Sequence, residues 1–337
     1  MIPYLLYYFI SLSILFFNKK LIPISYAVLW FFFIGFRDTI GTDYFSTLDA
    51  FQRSYIYFDN PFDSFYLYNL VDLELTFKIL STIIHYLGVK IEYAYILIAF
   101  FEALIIFLIL SKVKHKHLFL IYFLTMYTLT YPMNAIRQGF SVLILVYALN
   151  NFSNENYLKR ISTILISCFT HYASIPIILL SSIRFKNIKI NILILLIFLA
   201  IFYNFNEIIN LRWPTEGEGN YKFKGYGIKL LVSTFFILII NYFVVERKFL
   251  TQQNIVLILL TIATYLYNPV LRLYSFYSFV VLFSNLFKLD KTKISINNIL
   301  LLLSMPLLAL FSEWLEISRF YPLIGTGNWL PYKSFLF

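Results

Sequence analysis

Ten apolar stretches recur along this 337-residue chain, near 2–17, 21–36, 93–111, 118–133, 138–150, 190–205, 228–245, 255–268, 272–287 and 298–312. They restrict it to folds in which greasy helices pack side by side. A β-barrel needs alternating strands of about ten residues, whereas these runs are continuous. With 60% of its residues hydrophobic, the chain is expected to be an all-α polytopic membrane protein of about ten full transmembrane helices. No change of composition divides it, so residues 1–337 read as a single integral membrane domain. Met1–Phe17 has neither a basic leader nor a small-residue cleavage site and reads as the first membrane helix. The single cysteine, Cys168, excludes an intrachain disulfide and a cysteine-built metal cage.

A net charge of +10 would suggest nucleic acid in a soluble protein. Here the distribution of charge argues against a nucleic-acid partner. One set of loops holds Lys19, Lys20, Lys112, Lys114, Lys116, Lys159 and Arg160, and continues through Arg184, Arg247 and Lys248 to Lys293. Only Glu155, Glu246 and Asp290 oppose them, so these loops are cytoplasmic by the positive-inside rule. The other set, 37–92, 206–227 and 313–337, is nearly balanced and is expected outside. That assignment requires 161–183 to be a broken, re-entrant helix pair meeting near His171, because basic residues flank both its ends. Interrupted helices are tolerated where they line an enclosed cavity. Within the first outer loop, Leu73, Phe77, Leu80, Ile84 and Leu87 make an apolar stripe opposite Glu74, Lys78, Ser81 and His85. This predicts an amphipathic helix near 72–88, lying at the outer interface or dipping into the bundle.

Polar stripes interrupt the apolar segments on that outer side. Asn134, Arg137, Gln138 and Ser141 fall at i, i+3, i+4 and i+7, one face of a helix. An arginine at the centre of a bilayer costs at least roughly 2.5–3.5 kcal/mol, so such a face must meet a wet cavity or a partner. Asn268, Arg272 and Ser275 repeat the pattern after Pro269. Ser167, Thr170, His171 and Ser174 repeat it at the proposed helix break. Arg37 and Asp38 close the second span on the same side, ahead of Thr39–Tyr44. One arginine at a helix end ordinarily snorkels, and one histidine in an apolar segment is ordinarily structural. Three arginines and a histidine converging on one leaflet point to a site.

Arginine suits phosphate because its planar fork donates paired hydrogen bonds and stays charged. Arg37, Arg137 and Arg272 around one cavity match a diphosphate better than a monoanion. The chain has no GxxxxGK[ST] phosphate loop, no HExxH zinc motif and no GxSxG elbow, which excludes those ATPases, zinc hydrolases and serine hydrolases. Asp38 and Asp43 lack a third acidic ligand nearby, so no metal and no cofactor are expected.

The motifs RDTIGTDY (37–44), Glu74, NAIRQGFS (134–141), FTHYAS (169–174), LRLYSFY (271–277) and LPYKSF (330–335) together resemble the EpsG-type branch of bacterial polysaccharide polymerases. That branch includes many O-antigen polymerases of the Wzy type. The resemblance runs over nearly the whole chain in the right order. It implies a glycosyltransferase of the bacterial inner membrane, multi-pass, with its active site facing the periplasm. Its donor and acceptor would be undecaprenyl-diphosphate-linked glycans joined by metal-independent glycosyl transfer. Flippase and chain-length regulator proteins would be its partners, alongside membrane lipid.

For that reaction the acceptor hydroxyl must lose a proton to a base that titrates near neutrality. His171 fits best, with Asp43 or Glu74 as replacements. The three arginines would stabilise the leaving diphosphate. Asn134, Gln138, Tyr44 and Tyr277 would orient sugars or phosphate. A flippase for lipid-linked oligosaccharides should show internal repeats and polar residues toward both leaflets, and the stripes lie toward one. A membrane acyltransferase should show a route for a cytoplasmic acyl donor, and no stripe marks one. A purely structural scaffold would leave the arginine stripes unexplained.

Overall fold

The computed structural model describes residues 2–38, 48, 51, 74–90, 92–127, 136–151, 157–182, 226–242, 251–266, 270–289, 303–304, 306–307 and 333–334. The apolar segments at 190–205 and, but for four residues, 298–312 lie outside that set. Helix dominates the rest, as expected. In chain order come α1 (Ile2–Ile14), α2 (Ile22–Gly35), β1 (Arg37–Asp38), α3 (Leu75–Tyr86), α4 (Tyr93–Lys112) and α5 (Lys116–Tyr122). Then follow a π-helical turn (Phe123–Tyr127), α6 (Ile136–Asn151), α7 (Tyr157–Thr170), α8 (Ser174–Ser182), α9 (Tyr226–Ile240), α10 (Gln252–Leu266), α11 (Val270–Lys288) and β2 (Lys333–Ser334). Among the described helices, α4 is long and apolar enough by itself to cross a membrane.

The chain divides into two compact units. The first comprises Met1–Tyr172 with Phe283–Phe337. Its centre is the pair α2 and α4, which pack along their lengths. Gly35 permits this, because a Cβ there would meet the Ala99 Cβ at 3.2 Å and the Ile96 Cα at 3.5 Å. Small residues at helix crossings bring backbones close and gain dispersion contacts. Pro23 starts α2, where its missing N–H costs nothing. Around the pair, Tyr7 and Tyr26 share a 2.7 Å hydroxyl hydrogen bond, and Trp30 and Phe123 rings lie 5.1 Å apart. Inside this aromatic wall the Trp30 indole N–H donates to the Glu102 carboxylate at 3.1 Å.

α3 departs from the expected interfacial helix in one respect. Phe77 and Ile84 are buried, but so are Glu74, Lys78 and Ser81, while Ile79, Ile83, Tyr86 and Leu87 are exposed. The polar stripe turns inward and an apolar face turns out. Ser81 anchors it by donating to the Phe51 carbonyl at 2.8 Å. Its end is a left-handed turn at Gly88 (φ 63°), with Gly88 N–H bonded to His85 and Val89 N–H to Ile84. This double closure satisfies carbonyls that the last turn leaves open, and glycine adopts it without a Cβ clash.

The region 161–183 is broken as the sequence suggests. α7 stops at Thr170, α8 starts at Ser174, and His171–Ala173 lie between. The second unit, Ala173–Leu282, contains α8, α9, α10 and most of α11. Hydroxyls fasten its interior: Tyr274 is 2.8 Å from both Ser233 and Thr234, and Thr234 is 2.9 Å from Thr261. The Asn241 amide donates to Asn254. Such interhelical hydrogen bonds hold helices together where apolar faces alone do not specify a partner.

Candidate functional site

Three helix ends of the first unit meet at one carboxylate. α6 and α7 run antiparallel and are fastened by a pair of buried serines. Ser141 Oγ lies 2.9 Å from the Ser167 carbonyl and 3.0 Å from Ser167 Oγ, and Ser167 Oγ lies 3.0 Å from the Ser141 carbonyl. Arg137 precedes Ser141 by one helical turn, and His171 follows Ser167 by one turn. The serine pair therefore fixes both at the same end of the helix pair. The His171 backbone N–H still bonds the Ser167 carbonyl at 3.0 Å, so the ring is held by the last turn of α7.

Glu74 fills the space between them from the N-terminus of α3, which packs on α7 and α4. Its Oε2 accepts from Arg137 Nη1 at 2.9 Å, a charge-assisted bond. Its Oε1 stands 3.5 Å from His171 Nδ1, at the outer edge of hydrogen-bonding reach. The Glu74 side chain is 4% exposed, against 21% for Arg137 and 26% for His171. The carboxylate is thus the buried pivot, and its two partners keep accessible surface. Electrostatics favour that order. A carboxylate suits the positive end of α3, and it offsets a guanidinium held in the first turn of α6, where the helix dipole disfavours a cation. Beside the pivot, Thr170 Oγ1 lies 3.4 Å from Thr76 Oγ1 and links α7 to α3.

One oxygen of Glu74 for each partner has a chemical consequence. A guanidinium carries its N–H donors in a planar fork, the geometry that paired bonds to a phosphate use. A carboxylate near Nδ1 favours the tautomer with the proton on that nitrogen. Guanidinium and imidazole are set one carboxylate apart.

The structure thus brings together Glu74, Arg137 and His171 of the expected site residues. Gln138 is buried beside Arg137 on α6. Arg37 lies in β1, where it pairs in register with Ser334. Asp43, Tyr44 and Asn134 lie outside the described residues. Arg272 falls in the first turn of α11, and Tyr277, also on α11 in the second unit, is 1% exposed. Among the described residues no three side chains of His, Cys, Asp or Glu converge.

Two charged residues escaped the sequence reading as site candidates. Lys78 is 6% exposed, one turn beyond Glu74 on the inward face of α3. Glu102 is fully buried near the middle of α4. Its signal was present: it is the lone acid in an apolar run, which by itself marks a position to explain.

A family model described as the EpsG family matches residues 19–334, in accord with the resemblance carried by the motifs. No curated protein and no solved structure matches the chain.

Proposed function

The chain belongs to the EpsG family, which is associated with polysaccharide polymerisation, and we propose that it joins lipid-linked oligosaccharide repeat units at the outer face of the bacterial inner membrane. In this reading a single integral membrane domain takes a growing glycan from undecaprenyl diphosphate and places it on a hydroxyl of a new lipid-linked repeat. The products serve O-antigen or exopolysaccharide. The observation that carries the reading is the Glu74 carboxylate shared between Arg137 and His171.

The step needs two things at once. The bond from the donor's anomeric carbon to the diphosphate oxygen breaks, and undecaprenyl diphosphate leaves with the negative charge. Arg137, fixed before the reaction begins, stabilises that charge without reorganising, and a low-dielectric site magnifies its effect. The bond from the acceptor oxygen to the anomeric carbon forms, and the acceptor proton passes to His171 Nε2. Glu74 orients both groups. A carboxylate already bonded to a guanidinium at a helix N-terminus has little to offer as a proton acceptor, which favours His171 over Glu74 as the base. Arg37 serves as a further diphosphate ligand, with Gln138, Asn134 and Tyr44 as orienting groups and Asp43 as the alternative base. No metal or cofactor takes part, since the lipid diphosphate bond supplies the activation.

The proposed topology draws support from the strand pairing. Arg37–Asp38 and Lys333–Ser334 pair as neighbouring strands, which supports putting loops 37–92 and 313–337 on one side. The Glu74 bonds demand the same of the ends of α3, α6 and α7. An outward polar site framed by an exposed apolar face on α3 suits a lipid that brings its headgroup to the membrane surface and keeps its tail in the bilayer.

Purified protein incubated with one defined lipid-linked repeat unit should give a ladder of glycan lengths on gels. Transfer of the lipid across vesicles without any ladder would sink the polymerase reading in favour of a flippase.

A further inference from the structure

α3 carries a second charge on its enclosed face. Lys78 is 6% exposed, and Glu74, four residues before it, is 3% exposed. Lysine is among the residues least often enclosed, because its ammonium gives up water on burial. At a membrane surface its long stem ordinarily lets the charge snorkel out to water. Lys78 stays inside, although Ile79 and Ile83 on the same helix are exposed. An ionisable group inside a membrane protein is costly and concentrates at sites of function.

Its position ties it to the carboxylate. Glu74 is the N-cap of α3, and its carbonyl accepts the Lys78 backbone N–H at 3.0 Å. Side chains four apart share one face of a helix, with Cβ atoms about 5–6 Å apart, and acid before lysine is the favourable order. The Thr82 hydroxyl donates to the Lys78 carbonyl at 2.8 Å, and Ser81 donates to the Phe51 carbonyl at 2.8 Å. This turn of α3 is therefore fastened, and the charge at 78 keeps a set distance from the Glu74 pivot.

That distance matters because the pivot by itself is nearly neutral. Arg137 and Glu74, 2.9 Å apart, offset each other. A guanidinium so paired offers a phosphate its geometry, while the carboxylate beside it repels the same ligand. His171 adds positive charge only when protonated. Lys78 brings a second cation to one carboxylate, in surroundings where charge reaches further than in water. Its attraction scales with the charge of what arrives, so it favours a diphosphate over a phosphate.

We propose that Lys78 is a specificity-determining residue of the diphosphate site: its enclosed charge offsets the Glu74 carboxylate and selects a diphosphate over a monophosphate headgroup. This rests on the anion-binding role proposed above for Arg137, whereas it does not need the protein to polymerise.

The test titrates purified full-length protein in nanodiscs with inorganic pyrophosphate and, separately, inorganic phosphate, and follows binding by calorimetry. The unaltered protein should prefer pyrophosphate. Lys78→Met and Lys78→Gln both remove the charge, one keeping the apolar stem and the other a polar end. In both, pyrophosphate affinity should fall about 10–100-fold and phosphate affinity only about 3–10-fold, as one unit charge at this range implies. Lys78→Arg keeps the charge and should stay within about threefold for both anions. In the ladder assay the neutral variants should raise the donor KM and leave kcat little changed. A merely structural lysine would instead lower thermal stability and leave the preference between the two anions where it was. Equal losses for both anions, or a neutral variant that binds pyrophosphate normally, overturn the proposal. So does a folded Lys78→Arg when neither neutral variant folds, since the charge would then serve the fold. Unaltered protein that binds no pyrophosphate overturns it together with the role of Arg137. Selectivity that depends on residue 78 in protein that never builds a ladder keeps this inference and removes the polymerase reading.

Discussion

Two buried glutamates, Glu74 and Glu102, sit in the same compact unit in opposite circumstances. Glu102 lies within α4, fully enclosed, and accepts from an indole N–H inside a wall of tyrosine, tryptophan and phenylalanine. Glu74 caps a helix start, is held by a guanidinium and an imidazole, and both of those keep surface that a ligand can reach. Burial of a carboxylate is common to the two. What differs is whether the groups bonded to it can be reached from outside. Trp30 is fully buried with its acceptor, whereas Arg137 and His171 keep accessible surface. Glu102 accordingly reads as a peg that fixes how α2 meets α4, and Glu74 as the organiser of a site.

The contrast makes graded predictions. His171→Gln keeps shape and hydrogen bonding but removes the base proposed above, and ladder formation should fall roughly 10²–10⁴-fold while the protein stays folded. Near-normal ladders from this variant would remove His171 from the mechanism and return the role to Asp43. Arg137→Lys keeps the charge and loses the fork. The rate should drop on the order of 10²-fold, as when one preorganised donor to a developing anion is lost. Equal activity in the two proteins would mean that Arg137 serves packing or topology. Glu74→Gln should cost about 10–100-fold, because both partners survive but lose their orientation. Its signature is a double one, a raised donor KM and a lowered kcat in steady-state kinetics. A change in only one of these would show that the carboxylate serves only one partner.

Glu102→Gln should have the smallest effect. The amide oxygen still accepts from Trp30, so activity should stay within about twofold and stability within about 1.5 kcal/mol in thermal unfolding. Loss of polymerisation in this variant with unchanged stability would break the comparison and make Glu102 a second functional carboxylate.

The sequence announced parts of this site and hid others for clear reasons. The Arg137 stripe was legible because an arginine among apolar residues at helical spacing demands an inward face. The break near His171 was legible from the basic residues at both ends of 161–183. α3 was legible as a helix with two stripes, yet periodicity does not say which stripe is buried. Here Phe77 and Ile84 of the apolar stripe are buried together with Glu74, Lys78 and Ser81 of the polar one. The meeting of Glu74 with Arg137 and His171 joins segments 63 and 97 residues apart (the separations of 74 from 137 and 171). No local pattern encodes that; it follows from how α6 and α7 pack and where α3 is received. Glu102 went unremarked because one acid barely alters the hydrophobicity of a twenty-residue helix.

The serine clasp between α6 and α7 carries a message about which insertions this chain can accept. Each serine sits one turn from a partner of Glu74, so the spans 137–141 and 167–171 behave as two fixed gauge lengths. One residue added inside either would swing its terminal side chain by about 100° around the helix axis and take it away from Glu74. Residues added at 152–156, beyond the other end of the clasp, would change neither gauge. Related sequences should therefore vary freely in length there and hardly at all within the two spans, which gives a way to recognise the site in distant relatives from spacing before any residue identity is compared.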